Sequence, residues 1–465
     1  MASGTVFAKR DVPGPVSKAA SNKLSNVFDA RAVHFVVNYE KSSGNYIVDV
    51  DGNKYLDVYS QIASIPVGYN NPTLVAAAES QEMISALVNR PAIGNFPSHR
   101  WHDMLNDGLL KVAPPGLNRI FTAQSGSEAN ELAFKAAFML YRRKERGEGV
   151  EWTANEMSSC LNNKHPGSPN LAILSFARSF HGRGFGSLSA TRSKAVHKLD
   201  IPSFNWPQAP FPALKYPLED HTEDNAAEEK RCLDMVKSII ASCHCPIAGL
   251  IVEPIQSEGG DNHASPAFFQ GLRKLTKKYG IILIVDEVQT GFGATGKFWA
   301  HEHWSLKSPP DIVTFSKKAQ TAGYYFGDQM LIPDKAYRQF NTWIGDPARV
   351  ILSKAVIQEI LDKKLVEQCA RVGEILYTEL EKLMSQYPDQ IMNLRGKGQG
   401  TFIAFDTQDA ATLALSMKQL GVNIGTCGVQ TVRLRPMLSF DESYVPSLVA
   451  AFCMVFGDKS RRNQM

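Results

Sequence analysis

Lys317 is the residue of this sequence whose chemistry is most distinctive, because its amine follows a short apolar strand in the string TFSKKAQ. A lysine in a partly desolvated cleft can have a lowered pKa and form an imine with a carbonyl group. Lysines are common and usually solvated, so this position alone favours an ordinary surface residue. Its chemistry depends on what lies beside it.

Asp286 ends a second apolar strand, in the string IILIVDEVQ. An acid at the carboxyl edge of a sheet can hold a cationic ring nitrogen, while the neighbouring Glu287 points to the other side of the strand. An acidic pair at the end of a strand is equally typical of a metal site or a structural ion pair.

The string SGSEAN at residues 125–130 leads directly into a helical pattern. Gly126 between the hydroxyls of Ser125 and Ser127 offers backbone and side-chain donors at the positive end of a helix dipole. Such a group of donors binds anions, most often phosphate. A plain serine N-cap explains the same residues without any ligand.

The string SFHGRG at residues 179–184 follows another apolar strand. Phe180 can stack on a planar ligand, His181 adds a polar group, and Arg183 can bind a carboxylate. The alternative is a loop with a buried aromatic anchor. Together the four features predict a site for pyridoxal phosphate, which needs a phosphate cradle, an acid, an aromatic face and a lysine.

The elements that must position these residues are apolar runs alternating with helical patterns. We predict strands over 171–176, 247–252, 281–285 and 312–315, each nearly continuous in apolar residues, as in strands buried on both faces of a parallel sheet. A helical pattern over 267–279 lies between two of them. This alternation predicts an α/β doubly wound sheet, whose ligands bind at the carboxyl edge.

Both ends of the chain differ from this pattern. Asp51-Gly52 separates two β-rich runs and predicts a hairpin over 45–59. A long helical region follows residue 347, then β-rich runs over 401–406 and 431–438, and a last apolar helix near 444–456.

We therefore predict three segments, with an N-terminal part of a small domain over 1–60, a large cofactor-binding domain over 61–345 and a C-terminal small domain over 346–465. The first segment is expected to pack with the third. The Pro- and acid-rich stretch 209–229 is expected to be a surface excursion.

Composition places the chain among enzyme-sized globular proteins. It has 465 residues, 44% of them hydrophobic, and its net charge is 50 − 46 = +4. These values exclude a disordered chain, and the small, dispersed positive charge argues against a nucleic-acid partner. No run approaches the roughly 18 apolar residues of a membrane span, so we expect no membrane insertion.

The cysteines and the N-terminus bear on the compartment. Seven cysteines show no disulfide framework, and the Cys243/Cys245 pair lacks the spacing of a common zinc site, so we expect reduced thiols and no metal. The first fifteen residues lack the apolar core of a secretory signal. A cytoplasmic location is predicted, with the mitochondrial matrix as the alternative.

Longer strings resemble a known family. EPIQSEGGDNHAS (253–265), VDEVQTGFGATGKFWAHEHW (285–304), FSKK (315–318) and FNTWIGDP (340–347) are similar to the class III, or ω-amino acid, aminotransferases of pyridoxal phosphate fold type I. The likeness is strongest to the eukaryotic members that act on 4-aminobutyrate, and it extends from about Val12 to the C-terminus. It implies a large domain with a mainly parallel seven-stranded sheet and a smaller α+β domain built from both chain ends.

The resemblance also implies roles at the cofactor. Lys317, rather than Lys318, matches the lysine that carries the cofactor and acts as the general base. Asp286 matches the acid at the ring nitrogen. The remaining matches are Gln289 near the phenolic oxygen, Gly126 and Ser127 at the phosphate, Phe180 and His181 at the ring, and Thr342 reaching the phosphate of the other subunit of a homodimer.

At the substrate, the resemblance implies that Arg183 holds the far carboxylate of 4-aminobutyrate and that Ile62 forms an apolar wall. The second substrate, 2-oxoglutarate, has two carboxylates and so needs another cation, for which Arg433 is the candidate. Glu258 is placed to neutralise Arg433 when 4-aminobutyrate is bound.

Other functions stay open at this point. β-Alanine, 5-aminovalerate or ornithine could replace 4-aminobutyrate as substrate, and a protein that binds pyridoxal phosphate without turnover is a further alternative. A dinucleotide-dependent oxidoreductase is excluded because no GxGxxG follows an early strand.

One departure from the family concerns iron. Animal members have cysteines flanking the phosphate-loop Gly-Ser that ligate an iron–sulfur cluster between subunits, whereas this chain has Ser125 and Glu128 there. Neither is a thiolate ligand, so we predict no cluster.

Overall fold

The computed structural model describes residues 10–463, with side chains described for residues 10–458. The sequence argument about the first fifteen residues, and the outermost parts of the segments 1–60 and 346–465, therefore lie partly outside the described residues.

Strands and helices alternate through the middle of the chain, with further strands at both ends. The strands, in chain order, are β1 (Tyr46–Val48), β2 (Lys54–Asp57), β3 (Arg119–Ala123), β4 (Ala172–Phe176), β5 (Gln208–Ala209), β6 (Ile247–Val252), β7 (Ile282–Asp286), β8 (Ile312–Phe315), β9 (Ala322–Phe326), β10 (Met392–Arg395), β11 (Ile403–Asp406), β12 (Val422–Asn423), β13 (Gly425–Cys427) and β14 (Thr431–Leu434).

The α-helices are α1 (Pro15–Leu24), α2 (Ser60–Ala63), α3 (Pro72–Ala78), α4 (Gln81–Asn89), α5 (Trp101–Asp107), α6 (Gly126–Arg146), α7 (Ala154–Cys160), α8 (Phe185–Ala190), α9 (Thr222–Ser242), α10 (Pro266–Tyr279), α11 (Pro347–Asp362), α12 (Leu365–Gln386), α13 (Ala410–Gln419) and α14 (Val445–Asn463). Short 3-10 turns cover Leu109–Val112, Ala195–His197, Leu218–His221, Ala300–Trp304, Lys317–Ala319, Gln329–Leu331 and Glu442–Tyr444.

The largest sheet has seven strands in the order β3-β9-β8-β7-β6-β4-β5. All neighbours from β8 to β5 are parallel, and β9 alone runs antiparallel to the strands on either side of it. This confirms the predicted seven-stranded, mainly parallel sheet. Because β4, β6, β7 and β8 are parallel, their carboxyl ends meet at one edge.

The sequence explains why these strands are central. Every residue of β4, β6, β7 and β8 is buried, as expected for apolar runs covered on both faces by helices. Helix α10 begins with Pro266 at its first position and ends at Gly280, whose φ of 66° is left-handed, so both ends follow the usual Pro and Gly preferences. Its buried face carries Phe268 and Leu272.

The two chain ends meet in a second, smaller unit. β2 pairs antiparallel with β1 and parallel with β12, and Asn423 donates a hydrogen bond to Asp57 over 2.8 Å. β10, β11, β14 and β13 form a four-stranded antiparallel sheet. A separate apolar core that includes Phe405 and Phe452 lies under these strands and helices α12 to α14.

Two features differ from the sequence-based expectation. Within the stretch 209–229, Ala209 belongs to β5, Leu218–His221 forms a 3-10 turn and α9 begins at Thr222, with Asn225 and Glu229 buried, so only residues 210–217 are irregular. In α2, Gln61 and Ile62 have left-handed dihedral angles (φ 49° and 63°), which disfavour a β-branched residue such as Ile62.

Candidate active site

A cavity of about 250 Å³ lies at the carboxyl edge of the large sheet. It is lined by residues that follow β4, β6, β7 and β8 and by the first turn of α6, including Ser127, Phe180, Glu258, Asp286 and Lys317. We call it the Lys317 cavity. The structure therefore brings the four separate sequence features together at one place, where open parallel sheets bind ligands.

Lys317 and Lys318 differ in position rather than in acidity. Burial, reinforced by the charge of Arg433, lowers the pKa of Lys317 to about 7, and burial lowers the pKa of Lys318 to about 7 as well. Lys317 lines the cavity, whereas the buried amine of Lys318 donates to the backbone carbonyl of Gln289 over 3.0 Å. Only Lys317 is therefore placed to react with a ligand in the cavity.

Asp286, at the end of β7, is fixed by hydrogen bonds on both carboxylate oxygens. Its Oδ2 atom lies 2.8 Å from His181 Nδ1 and accepts from Asn130 Nδ2 over 2.8 Å. Its Oδ1 atom accepts from the backbone N–H of Val288 over 3.0 Å. These contacts keep the carboxylate at the cavity wall in one orientation. Asn130 is itself held by Thr314, whose hydroxyl donates to its Oδ1 atom over 2.7 Å.

The first turn of α6 forms one end of the cavity. Ser125 caps the helix by accepting from the backbone N–H of Glu128 over 3.2 Å. A Cβ atom at Gly126 would lie 2.7 Å from Val288, and one at Gly182 would lie 2.4 Å from the Ser127 hydroxyl. Neither glycine therefore has room for a side chain, and both line the cavity next to the first turn of α6, at the positive end of its dipole.

Phe180, His181 and Arg183 follow β4 as predicted, and they differ in exposure. The backbone N–H of Phe180 donates to Glu253 over 2.9 Å, which fixes this segment to the end of β6. His181 is buried, and its Nε2 atom has no hydrogen-bond partner among the described residues. The exposed guanidinium of Arg183 lies 5.1 Å from the centre of the Phe180 ring.

Arg433 and Glu258 form the ion pair that the sequence predicts. Arg433 Nη2 lies 3.0 Å from Glu258 Oε2, and the arginine is only 2% exposed. The other oxygen of Glu258 accepts from Lys194 over 2.7 Å. Burial alone would raise the pKa of Glu258, but the charges of Arg433 and Lys194 outweigh it and lower the pKa.

Gln289 lines the Lys317 cavity, but its side-chain oxygen is shared with arginines. Its Oε1 atom accepts from Arg435 Nε over 3.2 Å and from Arg433 Nη1 over 3.5 Å. The residue therefore joins the cavity to the arginines of β14 and its following turn. Its predicted contact with a phenolic oxygen stays a prediction.

Thr342 and Ile62 are predicted site residues that do not line the cavity within one chain. Thr342 is exposed in the segment before α11, and Ile62 is 49% exposed in the left-handed turn of α2. Thr342 is therefore accessible to a second protein chain.

Sequence reasoning missed Glu253, Asn130 and Lys194. Glu253 ends β6 at the same sheet edge as Asp286, so the rule that located Asp286 could also have located it. Burial and the nearby charge of Asp286 raise its pKa well above the usual range. Asn130 and Lys194 reach the site from a helix interior and from a loop, for which the sequence contains no comparable signal.

The donor groups fit pyridoxal phosphate. An anion-binding helix start, a fixed carboxylate, an aromatic ring on one wall and a lysine with a lowered pKa surround one cavity. The unpaired Nε2 atom of His181 leaves a polar group available at the same wall.

Within residues 10–463, no helix combines the length and apolarity that a membrane crossing requires.

The chain is similar to known proteins over nearly all its length. The aminotransferase class-III family model matches residues 27–455. A 4-aminobutyrate aminotransferase of Emericella nidulans is 60% identical, covering 94% of this chain and 88% of the relative. One of Saccharomyces cerevisiae is 53% identical over 95% of this chain and 94% of its own length. The mouse protein named 4-aminobutyrate aminotransferase, mitochondrial, is 48% identical over 97% of this chain and 90% of the relative.

Solved structures agree with the fold. The lysine aminotransferase of M. tuberculosis superposes with a TM-score of 0.81 at 28% identity, covering 94% of this chain and 98% of that one. A transaminase from the marine bacterium Virgibacillus has a TM-score of 0.79 at 20% identity, over 96% and 99% of the two chains, and shows the fold alone.

Proposed function

The chain belongs to the class III aminotransferase family, and from this we propose that it transfers the amino group of 4-aminobutyrate to 2-oxoglutarate. The products are succinate semialdehyde and glutamate. Relatives named for 4-aminobutyrate are 47–60% identical over most of the chain. The observation that carries the proposal within the site is the Arg433–Glu258 pair beside the Lys317 cavity, because it suits a pair of substrates that differ by one carboxylate.

Pyridoxal phosphate is the family's cofactor, and when bound it accepts the electron pair released from the substrate's amino-bearing carbon. Gly126 and Ser127 would hold its phosphate at the start of α6, and Phe180 would face its ring. Asp286 would keep the ring nitrogen protonated, since a carboxylate in a dry cavity stabilises a neighbouring cation strongly. Lys317 would carry the cofactor between turnovers.

Lys317 also moves the proton. Burial lowers its pKa to about 7, so the unprotonated amine is available near neutral pH. The free Nζ atom would accept the proton that leaves the amino-bearing carbon of the substrate and would hold it for the return transfer. A pKa near the working pH is the most effective value for such a group.

The two substrates differ in charge at the site. We propose that Arg183 binds the carboxylate of 4-aminobutyrate while Glu258 neutralises Arg433. 2-Oxoglutarate brings a second carboxylate, which would replace Glu258 on Arg433.

The visible absorption spectrum of the loaded protein tests the function. We expect a cofactor band that disappears on adding 4-aminobutyrate and returns on adding 2-oxoglutarate. A spectrum unchanged by any amine would indicate binding without turnover. A kcat/KM higher for β-alanine, 5-aminovalerate or ornithine than for 4-aminobutyrate would overturn the substrate assignment while leaving transamination intact.

We propose a homodimer in which Thr342 reaches the cofactor phosphate of the partner subunit. Exposed apolar residues support this arrangement: Val88 is 75% exposed and Phe96 is 77% exposed. Contacts of Gly94 with Phe340, and of Arg90 with Trp343, bring this surface next to the segment that carries Thr342. An apolar patch beside the site is typical of a subunit interface.

We propose that the protein holds no iron–sulfur cluster. Ser125 and Glu128, at the positions of the animal ligands, are used otherwise: Ser125 caps α6, and Glu128 accepts from Gln124 N over 2.7 Å and from Asn341 Nδ2 over 2.6 Å. Stoichiometric iron and labile sulfide in the purified protein would overturn the proposal.

The proposed compartment is the cytoplasm, with the mitochondrial matrix as the alternative. The cysteines are all free thiols, as either reducing compartment allows, and the mouse relative is named mitochondrial. Fractionation of cells that express the full-length protein distinguishes the two.

A further inference from the structure

Cys243, His244 and Cys245 form a cluster of metal-ligating side chains far from the Lys317 cavity. They connect the end of α9, at Ser242, to the start of β6, at Ile247. The Lys317 cavity lies beyond the other end of β6, whose six residues span roughly 20 Å. Nothing in the aminotransferase site uses these residues.

Their donor atoms converge. The two sulfur atoms and one ring nitrogen all lie within 4.8 Å of one another. Cys245 Sγ is 3.5 Å from His244 Nε2, and Cys243 Sγ is 3.9 Å from His244 Nδ1. Bonds of about 2.3 Å to sulfur and about 2.0 Å to nitrogen place the ligands of a tetrahedral zinc ion about 3.5 Å apart. The two sulfur atoms lie nearest to different nitrogens of the ring, so binding of one ion requires the exposed His244 ring to turn until a single nitrogen faces both sulfurs.

The backbone of this segment is anchored at both ends. Cys245 is buried at 7% exposure and belongs to the large apolar core, against which Cys243 is also packed. The carbonyl of the next residue, Pro246, accepts from the backbone N–H of Ala172 on β4 over 3.0 Å. The ring of His244 is exposed. The donors are thus held on a rigid support with one side open to water.

We propose that Cys243, His244 and Cys245 bind a thiophilic d¹⁰ cation, Zn²⁺ being the physiological example. The two cysteines supply thiolates, the histidine supplies one neutral nitrogen, and water takes the fourth position. Each thiol gives up its proton to solvent as the ion binds, so uptake of one ion releases two protons and tightens as the pH rises. The spacing of the cysteines alone argues against a zinc site, but the histidine between them supplies the third ligand.

A bound ion would tie the end of α9 to the start of β6. The folded chain orders the three donors better than the unfolded chain does. Zn²⁺ therefore binds the native state more tightly and raises the melting temperature. This property does not depend on which amino acid the enzyme transaminates.

The test is metal binding by the holoenzyme, reduced with a phosphine and stripped of metal. We expect the wild-type protein to bind one Zn²⁺ per chain with a Kd at or below about 1 μM. With Cd²⁺ as the probe, we expect ultraviolet charge-transfer absorption from two thiolates. The double variant C243S/C245S should lose both signals, whereas C160S, which removes an exposed lone thiol, should keep them.

Two further measurements guard against a folding defect. His244→Ala changes only an exposed side chain. Loss of a residue that merely supports a metal ligand already weakens binding at least about tenfold, so loss of the ligand His244 itself should weaken Zn²⁺ binding by about tenfold or more. At the same Zn²⁺ concentration, the melting temperature of the wild type should rise more than that of H244A. Equal Zn²⁺ binding by wild type, C243S/C245S and H244A would overturn the proposal, as would absence of binding by the wild type.

Discussion

Glu258 is the residue on which the use of two different substrates depends. In the structure it neutralises a buried Arg433, and removing one member of a buried pair leaves an uncompensated charge. Glu258→Ala should therefore impair the half-reaction with 4-aminobutyrate by on the order of 100-fold, equivalent to about 3 kcal/mol, and spare the half-reaction with glutamate. Single-turnover kinetics of each half-reaction measure this.

The matched control is Lys194→Met, which removes the other partner of Glu258 and leaves the pair with Arg433 in place. The ratio of the two half-reaction rates should then stay close to that of the wild type. Equal losses in both half-reactions of E258A would contradict the role assigned to Glu258.

Lys317 should reveal its lowered pKa directly. Acylating reagents attack only the unprotonated amine, so in the cofactor-free protein the labelling rate of Lys317 should rise up to about pH 7 and then level off. Below pH 7 the rate should fall about tenfold per pH unit. The labelling rate of free Nα-acetyl-lysine in the same solution should instead continue to rise toward pH 10, because an unperturbed lysine amine has a pKa of about 10.4. Mass spectrometry at several pH values measures both rates.

A labelling rate for Lys317 that rises like that of free Nα-acetyl-lysine would contradict the low pKa. Lys318 provides a second comparison, because its amine has a similarly lowered pKa but is buried and bonded to Gln289. It should label slowly at every pH. Position, and not acidity, separates the two lysines.

The sequence predicted the residues that line the cavity better than the residues that hold them in position. Lys317, Asp286 and Ser127 follow elements that are recognisable from local patterns, and the structure places all three at one cavity. Glu253 and Asn130 support them through contacts between residues distant in sequence, as between Asn130 and Asp286. Such contacts depend on the assembled sheet, so no local pattern indicates Asn130, whereas Glu253 follows β6 and obeys the rule that located Asp286.

At the scale of elements, the close packing between α6 and the turn after β7 leaves no space for a side chain at Gly126. Its Cβ would lie 2.7 Å from Val288. We expect Gly126→Ala to destabilise the protein by about 1–3 kcal/mol through overpacking and to weaken cofactor binding. Thermal unfolding and a fluorescence titration with pyridoxal phosphate measure the two effects.

Gly186→Ala is the matched control, because a Cβ there would meet its nearest neighbour, Glu131, at an ordinary 3.4 Å. It lies in α8, close to the same cavity, and should change stability and cofactor affinity little. Similar losses in both variants would show that the close contact of Gly126 is not the cause.

Elements with strong patterns were predicted closely, and an amphipathic one was missed. β6 and β8 have the predicted bounds, because each is a continuous apolar run. α10 begins one residue earlier than predicted, at Pro266, and ends just before Gly280. α9 was missed at its start because its first turns are acidic and follow a proline-rich stretch. The buried residues of α9 pack against α10, a contact between separate elements that the local sequence does not indicate.

At the scale of the whole molecule, the exposed apolar surface next to Thr342 is the proposed dimer interface. Charged residues placed on this surface should therefore dissociate the dimer. Replacing Val88 and Phe96 together by Asp should convert the dimer to monomers and abolish turnover, since buried unpaired charges oppose association. Light scattering measures the mass. Val429→Asp, at a fully exposed apolar residue elsewhere, should leave the dimer and its activity intact.

A wild-type protein that is monomeric and active would contradict the shared site. The extent of the large and small domains, with boundaries near residues 60 and 346, stays a prediction. What the structure establishes is that β2 near one end of the chain pairs with β12 near the other.

This pairing has a consequence for the order of events during synthesis. Asp57 and Asn423 are 366 residues apart, and at roughly 5–20 residues per second the ribosome needs about 20–70 s to make the chain between them. Throughout that interval β1 and β2 have been made but β12 has not, while all strands of the large sheet are complete well before β12. β2 is therefore made early but can take its final place only after β12 has been made, and it lacks that neighbour for most of translation.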